Sequence, residues 1–394
     1  MNRQQLPRSV IALGVVSLLT DASSEMIYPL LPLFLTGTLG ATAAMLGVIE
    51  GAAETTAGLL KLWSGMLSDR LRRRKPLVFA GYLLSSVARP FVAVAGTAWH
   101  VLAIRLTDRV GKGVRGAPRD ALMADATSPD ARGRAYGFHR SMDHLGAAIG
   151  PAVAFVLLSA AVGVELRTVF WLAAIPAALS VVVLAAFVHE QPRSAAPGKP
   201  VRRIGAWRAL PAPMRRYLGI VLLFTLSTAS DAFLLLRASD LGVPIALIPV
   251  LWGLHNIVKS ALSTPAGALS DRLGRRPLIA AGWVLYAAAY LGFGVASEPW
   301  HVWVLFVAYS GFYALTEGAE KAFVADLVPA EHRGTAFGWF HLVVAVGALP
   351  ASVVFGLLWT WGSPGLAFGV SAALALTAAG LILSQTETRT PAPA

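Results

Sequence analysis

Two short stretches of this chain occur twice, in the same order, half a chain apart. Gly65-Met66-Leu67-Ser68-Asp69-Arg70 closes one apolar segment, and Gly267-Ala268-Leu269-Ser270-Asp271-Arg272 closes another. Further on, Ala124-Asp125 leads to Arg132-Gly133-Arg134-Ala135-Tyr136-Gly137, and Ala325-Asp326 leads to Arg333-Gly334-Thr335-Ala336-Phe337-Gly338. Two markers repeated in order define a duplicated unit, and a duplication constrains the architecture before any single residue is interpreted. In a membrane protein, paired homologous halves point to a transporter with its site at the repeat interface.

Composition places the chain in a membrane. Of 394 residues, 56% are hydrophobic and 14% charged, against about 25% charged in soluble proteins. A net charge of +12 would suggest nucleic acid in a soluble chain. Here the basic residues fall in short loops and read as topology, so a lipid bilayer is the expected surroundings and no nucleic-acid partner is expected. The absence of cysteine excludes disulfides, thiolate chemistry and Cys-based metal sites. The basic start, Met1 to Arg8, precedes an apolar run that contains Asp21 and Glu25, which reads as a retained helix and not a cleaved leader.

A helix crosses the hydrocarbon core with about 20 apolar residues. Twelve such spans are read near 9–36, 42–64, 77–97, 100–122, 134–160, 167–188, 217–238, 243–266, 278–297, 300–323, 335–359 and 364–385. One set of loops holds Arg70, Arg72, Arg73, Arg74 and Lys75, then Arg132 and Arg134, then Arg272, Arg275 and Arg276, then Arg333. The alternate loops hold almost none beyond Arg167 and Arg237, so both termini are expected on the cytoplasmic side of a bacterial inner membrane. The domain reading is a six-helix bundle over 1–188, a basic, proline-bearing cytoplasmic linker over 189–216, and a second six-helix bundle over 217–394.

Ionisable groups inside a span are costly and face a partner or a watered cavity. Spans 6, 9 and 12 carry none in their interiors, and span 3 has only Arg89. The other spans are loaded, which predicts a peripheral third helix in each three-helix unit. Span 4 is the extreme case, because Arg105, Asp108, Arg109, Lys112, Arg115 and Arg119 form one stripe at spacings of three and four. Same-face pairs recur as Asp21 with Glu25, Glu50 with Glu54, His139 with Asp143, Arg140 with His144, and His255 with Lys259. Glu317, Glu320 and Lys321 cluster in span 10, and Asp231 stands in span 7. Mutual neutralisation between helices would account for some of these groups; for the whole set, apolar packing would cost less desolvation.

The duplicated Gly-x-x-x-Asp-Arg with its basic cluster resembles the loop signature of the major facilitator superfamily, a family of twelve-helix secondary transporters. The resemblance covers essentially the whole chain. It implies an all-α membrane fold of two pseudo-symmetric six-helix bundles, no enzyme activity, no cofactor, and a chain working as a monomer. It also implies gating roles for Gly65, Asp69, Arg70 and Arg74 and for Gly267, Asp271, Arg272 and Arg276, a network that closes the cytoplasmic side and breaks as the halves rock. The physics agrees: Gly lets helix ends approach, and an Asp suits the unsatisfied amides of a neighbouring helix N-terminus. Arg105 ahead of Gly111 and Gly113 resembles a family motif in which a membrane Arg tunes a nearby carboxylate, here Asp108. Gly146 to Pro151 resembles, in part, the Gly-Pro motif of proton-coupled drug exporters, which makes Gly150 and Pro151 gating candidates. A kink with close packing would explain the same residues in a transporter of either direction.

The leading functional reading is a proton-coupled transporter working by alternating access and exporting an organic anion or zwitterion. Asp21, Glu25, Asp108, Asp143, Asp231, His139 and His341 are the proton-coupling candidates. Tyr28, Arg105, Arg140, Trp252, His255, Lys259, Tyr313 and Glu317 are the substrate-binding candidates. A multidrug/proton antiporter for lipophilic or cationic drugs is the alternative, with a divalent-metal transporter ranked below it on Glu25, His139 and Asp143. No nucleophile–base triad or phosphate loop is present, and no resident metal is expected. The topology is testable because the chain has no native thiol. A lone cysteine replacing Ser194 should react with an impermeant maleimide only from the cytoplasmic side, and one replacing Ala161 only from outside; the reverse pattern would invert the orientation.

Overall fold

The computed structural model describes residues 6–31, 34–40, 43–71, 73–159, 163–190, 207, 210–244 and 247–384. Arg72 and the linker residues Arg193, Lys199, Arg202, Arg203 and Arg208 lie outside the described residues, as do the side chains of Glu50 and Glu54. The described elements are all helical. Spans 1 to 6 are built on helices Arg8–Ile27, Ala43–Leu71, Lys75–Ala88, Ala98–Asp125, Arg132–Leu158, and Leu166–Leu172 with Ala174–Phe187. Spans 7 to 12 are built on Ala212–Ser227 with Ala232–Asp240, then Ile248–Leu273, Arg275–Val295, Pro299–Asp326, Arg333–Trp361 and Pro364–Leu383. Eight of the described helical segments are long and apolar enough to cross a membrane by length and composition alone. The remaining spans are 2, 4, 7 and 8: span 4 carries a run of charged side chains, spans 2 and 8 mix charged and polar residues among their apolar ones, and span 7 is divided.

The chain separates into two compact units. The first comprises Met1–Thr127, Met142–Gly205 and Ala330–His341; the second comprises Ser128–Ser141, Ala206–Pro329 and Leu342–Ala394. Each unit therefore takes in a short stretch from the other sequence half, the opening turns of span 11 or of span 5. In the first unit, spans 3 and 6 carry exposed apolar side chains such as Val87, Phe91, Ile175 and Val182. In the second, spans 9 and 12 do the same with Val284, Val295, Leu366 and Leu376. Spans 5 and 11 also expose apolar ends, among them Phe155 and Leu349, so their charged residues are confined to their opening halves.

Local chemistry sets the helix ends. Thr97 caps span 4 by accepting the His100 amide at 3.3 Å, and Glu298 makes a capping box with His301 at span 10. The imidazole Nδ1 of each His accepts a preceding amide, from Gly96 at 3.3 Å and from Glu298 at 3.1 Å. Trp99-His100 and Trp300-His301 are thus a third marker of the duplication. Gly274, with φ of 95°, turns span 8 into span 9 in a conformation that side-chain-bearing residues rarely adopt.

Span 7 departs from the single helix read over 217–238. Its helix stops at Ser227 and restarts at Ala232. Here Ser227 and Thr228 donate their hydroxyls to the Phe224 and Thr225 carbonyls, competing with the helix ladder. The released Ser227 carbonyl is satisfied by the Tyr286 hydroxyl at 2.8 Å. Asp231 stands at the restart, and its carbonyl accepts the Leu234 amide at 3.1 Å.

Close helix approaches rest on glycine. A Cβ at Gly65 would lie 2.1 Å from the Gly334 carbonyl oxygen, and one at Gly267 would lie 2.1 Å from that of Gly133. Gly65→Ala or Gly267→Ala should cost about 1–3 kcal/mol by overpacking. Gly253→Ala, where a Cβ meets nothing within 4 Å, should stay within about 0.5 kcal/mol. Thermal unfolding in detergent checks this, and equal stability of all three variants would refute the close approach.

Candidate functional site

The duplicated Asp residues cap helices. In the first unit, Asp69 accepts the Gly334 amide at 3.1 Å, the Thr335 amide at 2.7 Å and the Thr335 hydroxyl at 2.8 Å. In the second, Asp271 accepts the Gly133 and Arg134 amides at 2.8 Å each. Both carboxylates thus satisfy unpaired amides at the positive end of a helix dipole. A guanidinium completes each arrangement. Arg74, fully buried, reaches Asp125 at 2.7 Å, Asp69 at 3.3 Å and the Ala330 carbonyl at 3.0 Å. Arg275 reaches Asp326 at 3.2 Å and bonds Asp271, and it donates to the Pro129 carbonyl at 2.6 Å. Arg333 pairs with Asp125 at 2.7 Å, as Arg132 pairs with Asp326.

These contacts place the gating candidates read from the sequence. In the second copy the guanidinium of Arg275, which stands beside the gating candidate Arg276 in the loop signature, bonds the Asp. The sequence offers adjacent arginines, and the Asp-to-Arg spacing is five in the first copy and four in the second. Arg70 and Arg272, expected in the same network, have exposed side chains. Gly150 lies against span 1, where a Cβ would sit 2.5 Å from the Ala22 carbonyl oxygen; Pro151 lies within the continuous helix of span 5.

Within the membrane-spanning part of the first unit, Asp108 is held by two groups. Arg89 reaches it at 2.8 Å, and Tyr28 donates its hydroxyl to the other oxygen. Arg89 is itself fixed by the Thr20 carbonyl at 2.8 Å. The Arg105 guanidinium lies 3.9 Å from the Tyr28 ring centre and that of Arg109 lies 5.4 Å from it, within cation–π range. Further along span 4, Arg115 donates to Ser85 at 2.6 Å and covers the Tyr82 ring at 4.5 Å. The residues of the expected stripe lie on one continuous helix, and two of them bind span 3.

Asp21 and Glu25 lie along the span 1 to span 5 contact. Cβ atoms at Gly146 and Gly150 would approach theirs to 3.1 and 2.8 Å. One turn before Asp21, Ser17 donates its hydroxyl to Asp143. Asp143 and Lys112 are within electrostatic range of Asp21. Among the described residues, Asp21, Glu25 and Asp231 form no ion pair. His341, in the segment that joins the first unit, bonds buried Asp120 at 2.9 Å, and Arg119 reaches the other oxygen of Asp120 at 3.1 Å.

The second unit gathers aromatic rings around its polar groups. Tyr309 donates to Asp231 at 2.5 Å and Tyr313 at 3.4 Å. His255 stacks on Tyr309 at 5.4 Å between centres, lies 5.2 Å from Trp252 and bonds Ser310 at 2.7 Å. The Lys259 ammonium lies over Tyr313 at 4.8 Å and over Trp252 at 5.7 Å. Glu317 pairs with Arg140 at 3.8 Å. His139 is buried in this unit, and Asp143, four residues on, belongs to the first. Among the described residues no three His, Asp or Glu side chains gather as a metal site.

The structure therefore unites Tyr28, Arg105 and Asp108, and separately Asp231, Trp252, His255, Lys259 and Tyr313. Sequence reasoning gave no site role to Arg89, Asp120 and Tyr309. A lone cation in an otherwise apolar span was the available signal for Arg89. Nothing in spacing marked Tyr309.

A model of the Major Facilitator Superfamily matches residues 13–236 and 216–394, and the chain belongs to that family. It is accordingly an integral, multi-pass membrane transporter and not an enzyme. It is 33% identical over 388 residues to an uncharacterized MFS-type transporter of Methanocaldococcus jannaschii, covering 97% of this chain and 96% of that one. It is 25% identical to a multidrug resistance protein, MdtH, of Edwardsiella ictaluri, covering 82% and 79%. Its fold matches the human organic anion transporter MFSD10 with a TM-score of 0.80 at 18% identity, covering 95% and 99%.

Asp108→Ala should destabilise the protein by about 3–5 kcal/mol, because it strands the buried Arg89 charge. Replacing both groups, as Asp108→Leu with Arg89→Met, should recover most of that loss. Thermal unfolding reads the outcome, and a double variant no better than Asp108→Ala would contradict the pairing.

Proposed function

We propose that this chain is a proton-coupled exporter of organic anions or zwitterions, acting by alternating access as a single chain in the inner membrane with both termini cytoplasmic. One observation carries the coupling: the intramembrane carboxyls fall into two kinds. Asp108 and Asp120 are held by cations, whereas Asp21, Glu25 and Asp231 form no ion pair among the described residues. A carboxyl in hydrocarbon without a cation costs least when it carries a proton. Asp21, within electrostatic range of Asp143, is the favoured carrier, since two interacting carboxyls share one proton more cheaply than they hold two charges. We assign Asp108 a positioning role, holding Arg89 and Tyr28.

The anionic substrate class is supported by the cations that line Tyr28, by Lys112 and by Lys259. Export is supported by the name of the MdtH relative. That name also favours the second reading, efflux of structurally varied drugs. We further propose that the Asp69 and Asp271 caps release their helix starts during the transport cycle.

Purified protein in liposomes, with an imposed pH gradient and a panel of organic anions and drugs, tests this. Substrate-driven proton movement is expected in the wild type and should be lost in Asp21→Asn with substrate binding retained. Substrate movement without protons in the wild type would sink the coupled mechanism.

A further inference from the structure

In the second unit an ammonium already fills an aromatic enclosure. Lys259 Nζ lies 4.8 Å from the Tyr313 ring centre and 5.7 Å from that of Trp252. One turn earlier on the same helix, His255 packs against Trp252 and Tyr313, so it braces both walls. Asp231, bonded by Tyr309 and Tyr313, lies within electrostatic range of the ammonium. Lys259 is buried, while Trp252, Tyr313 and Asp231 are half-buried. Aromatic faces beside a carboxyl are the chemistry that recognises an organic ammonium ion. The Glu317 carboxyl, one turn from Tyr313, is paired with Arg140.

We propose that Lys259 is the specificity-determining residue of this site. Its tethered ammonium takes the place of an organic cation over Tyr313 and Trp252, excludes such cations, and commits the site to substrates carrying an aromatic ring and an anionic group. The ring lies against Trp252 and Tyr313, and the anion pairs with the ammonium. This rests on the organic-anion reading above and deepens it. Specificity here works by exclusion as well as attraction, since an untethered cation must displace one whose position is already satisfied.

The test is equilibrium binding of radiolabelled benzoate and benzyltrimethylammonium to purified protein, with folding checked by circular dichroism and size exclusion. The wild type and Lys259→Arg should prefer benzoate. Lys259→Gln should lose benzoate and gain benzyltrimethylammonium, each by about tenfold or more. Adding Trp252→Leu to Lys259→Gln should abolish that gain. If Lys259→Gln does not fold, Lys259→Met is read the same way. A folded Lys259→Gln or Lys259→Met that gains no cation binding overturns the proposal, as does a gain that survives Trp252→Leu. If the variant gains the cation while the wild type binds no benzoate, exclusion by Lys259 stands and the anion reading falls. Benzoate binding by the wild type with no gain in the variant gives the opposite result.

Discussion

A charge inside hydrocarbon needs a partner or a proton, and the arrangement of this protein follows from that constraint. The span with the most charge, span 4, is the one whose residues bind two neighbours: Asp108 takes Arg89, and Arg115 takes Ser85 and Tyr82. Spans without interior charge are left with exposed apolar faces. Among the described residues no cation pairs with Asp21, Glu25 or Asp231, and these are the carboxyls we propose as proton carriers. Asp108 and Asp120, which have a cation, are the ones to which we assign a positioning role. The two kinds differ by the partner each finds, not by residue type.

The duplicated loop answers a different need. A helix start leaves amides without partners, and a buried start needs an acceptor. Asp69 and Asp271 supply it to Gly334 with Thr335 and to Gly133 with Arg134. Glycine is required at the same place because the helix ends approach until a Cβ would overlap a carbonyl oxygen. One Gly and one Asp four residues apart therefore form a single device, and their joint recurrence made the duplication visible.

Much of the architecture was legible because it is periodic. The twelve spans, the stripe on span 4 and the role of Asp69 and Asp271 as acceptors at helix starts all rest on local spacing. What escaped depends on pairing across spans. Arg89 meets Asp108 from a different helix, and His341 meets Asp120 from more than two hundred residues away. That Arg275 reaches Asp271 and Asp326 is a matter of which face a side chain leaves by, and spacing alone does not reveal it. The break in span 7 was missed because no Pro or Gly marks it. Ser227 and Thr228 compete for backbone carbonyls there, and Tyr286 accepts the consequence by donating to Ser227. The two halves also differ in character: cations around Tyr28 in one, rings around Asp231 in the other. Sequence symmetry alone concealed that difference.

The central claim is that Asp21 carries the exchangeable proton while Asp108 remains a carboxylate bound to Arg89. Infrared difference spectroscopy of the purified protein, recorded as pH is raised, reads the carbonyl stretch of a protonated carboxylic acid directly. The account predicts a titrating acid band that shrinks in Asp21→Asn and persists in Asp108→Asn. A band untouched by Asp21→Asn and lost in Asp108→Asn would contradict it.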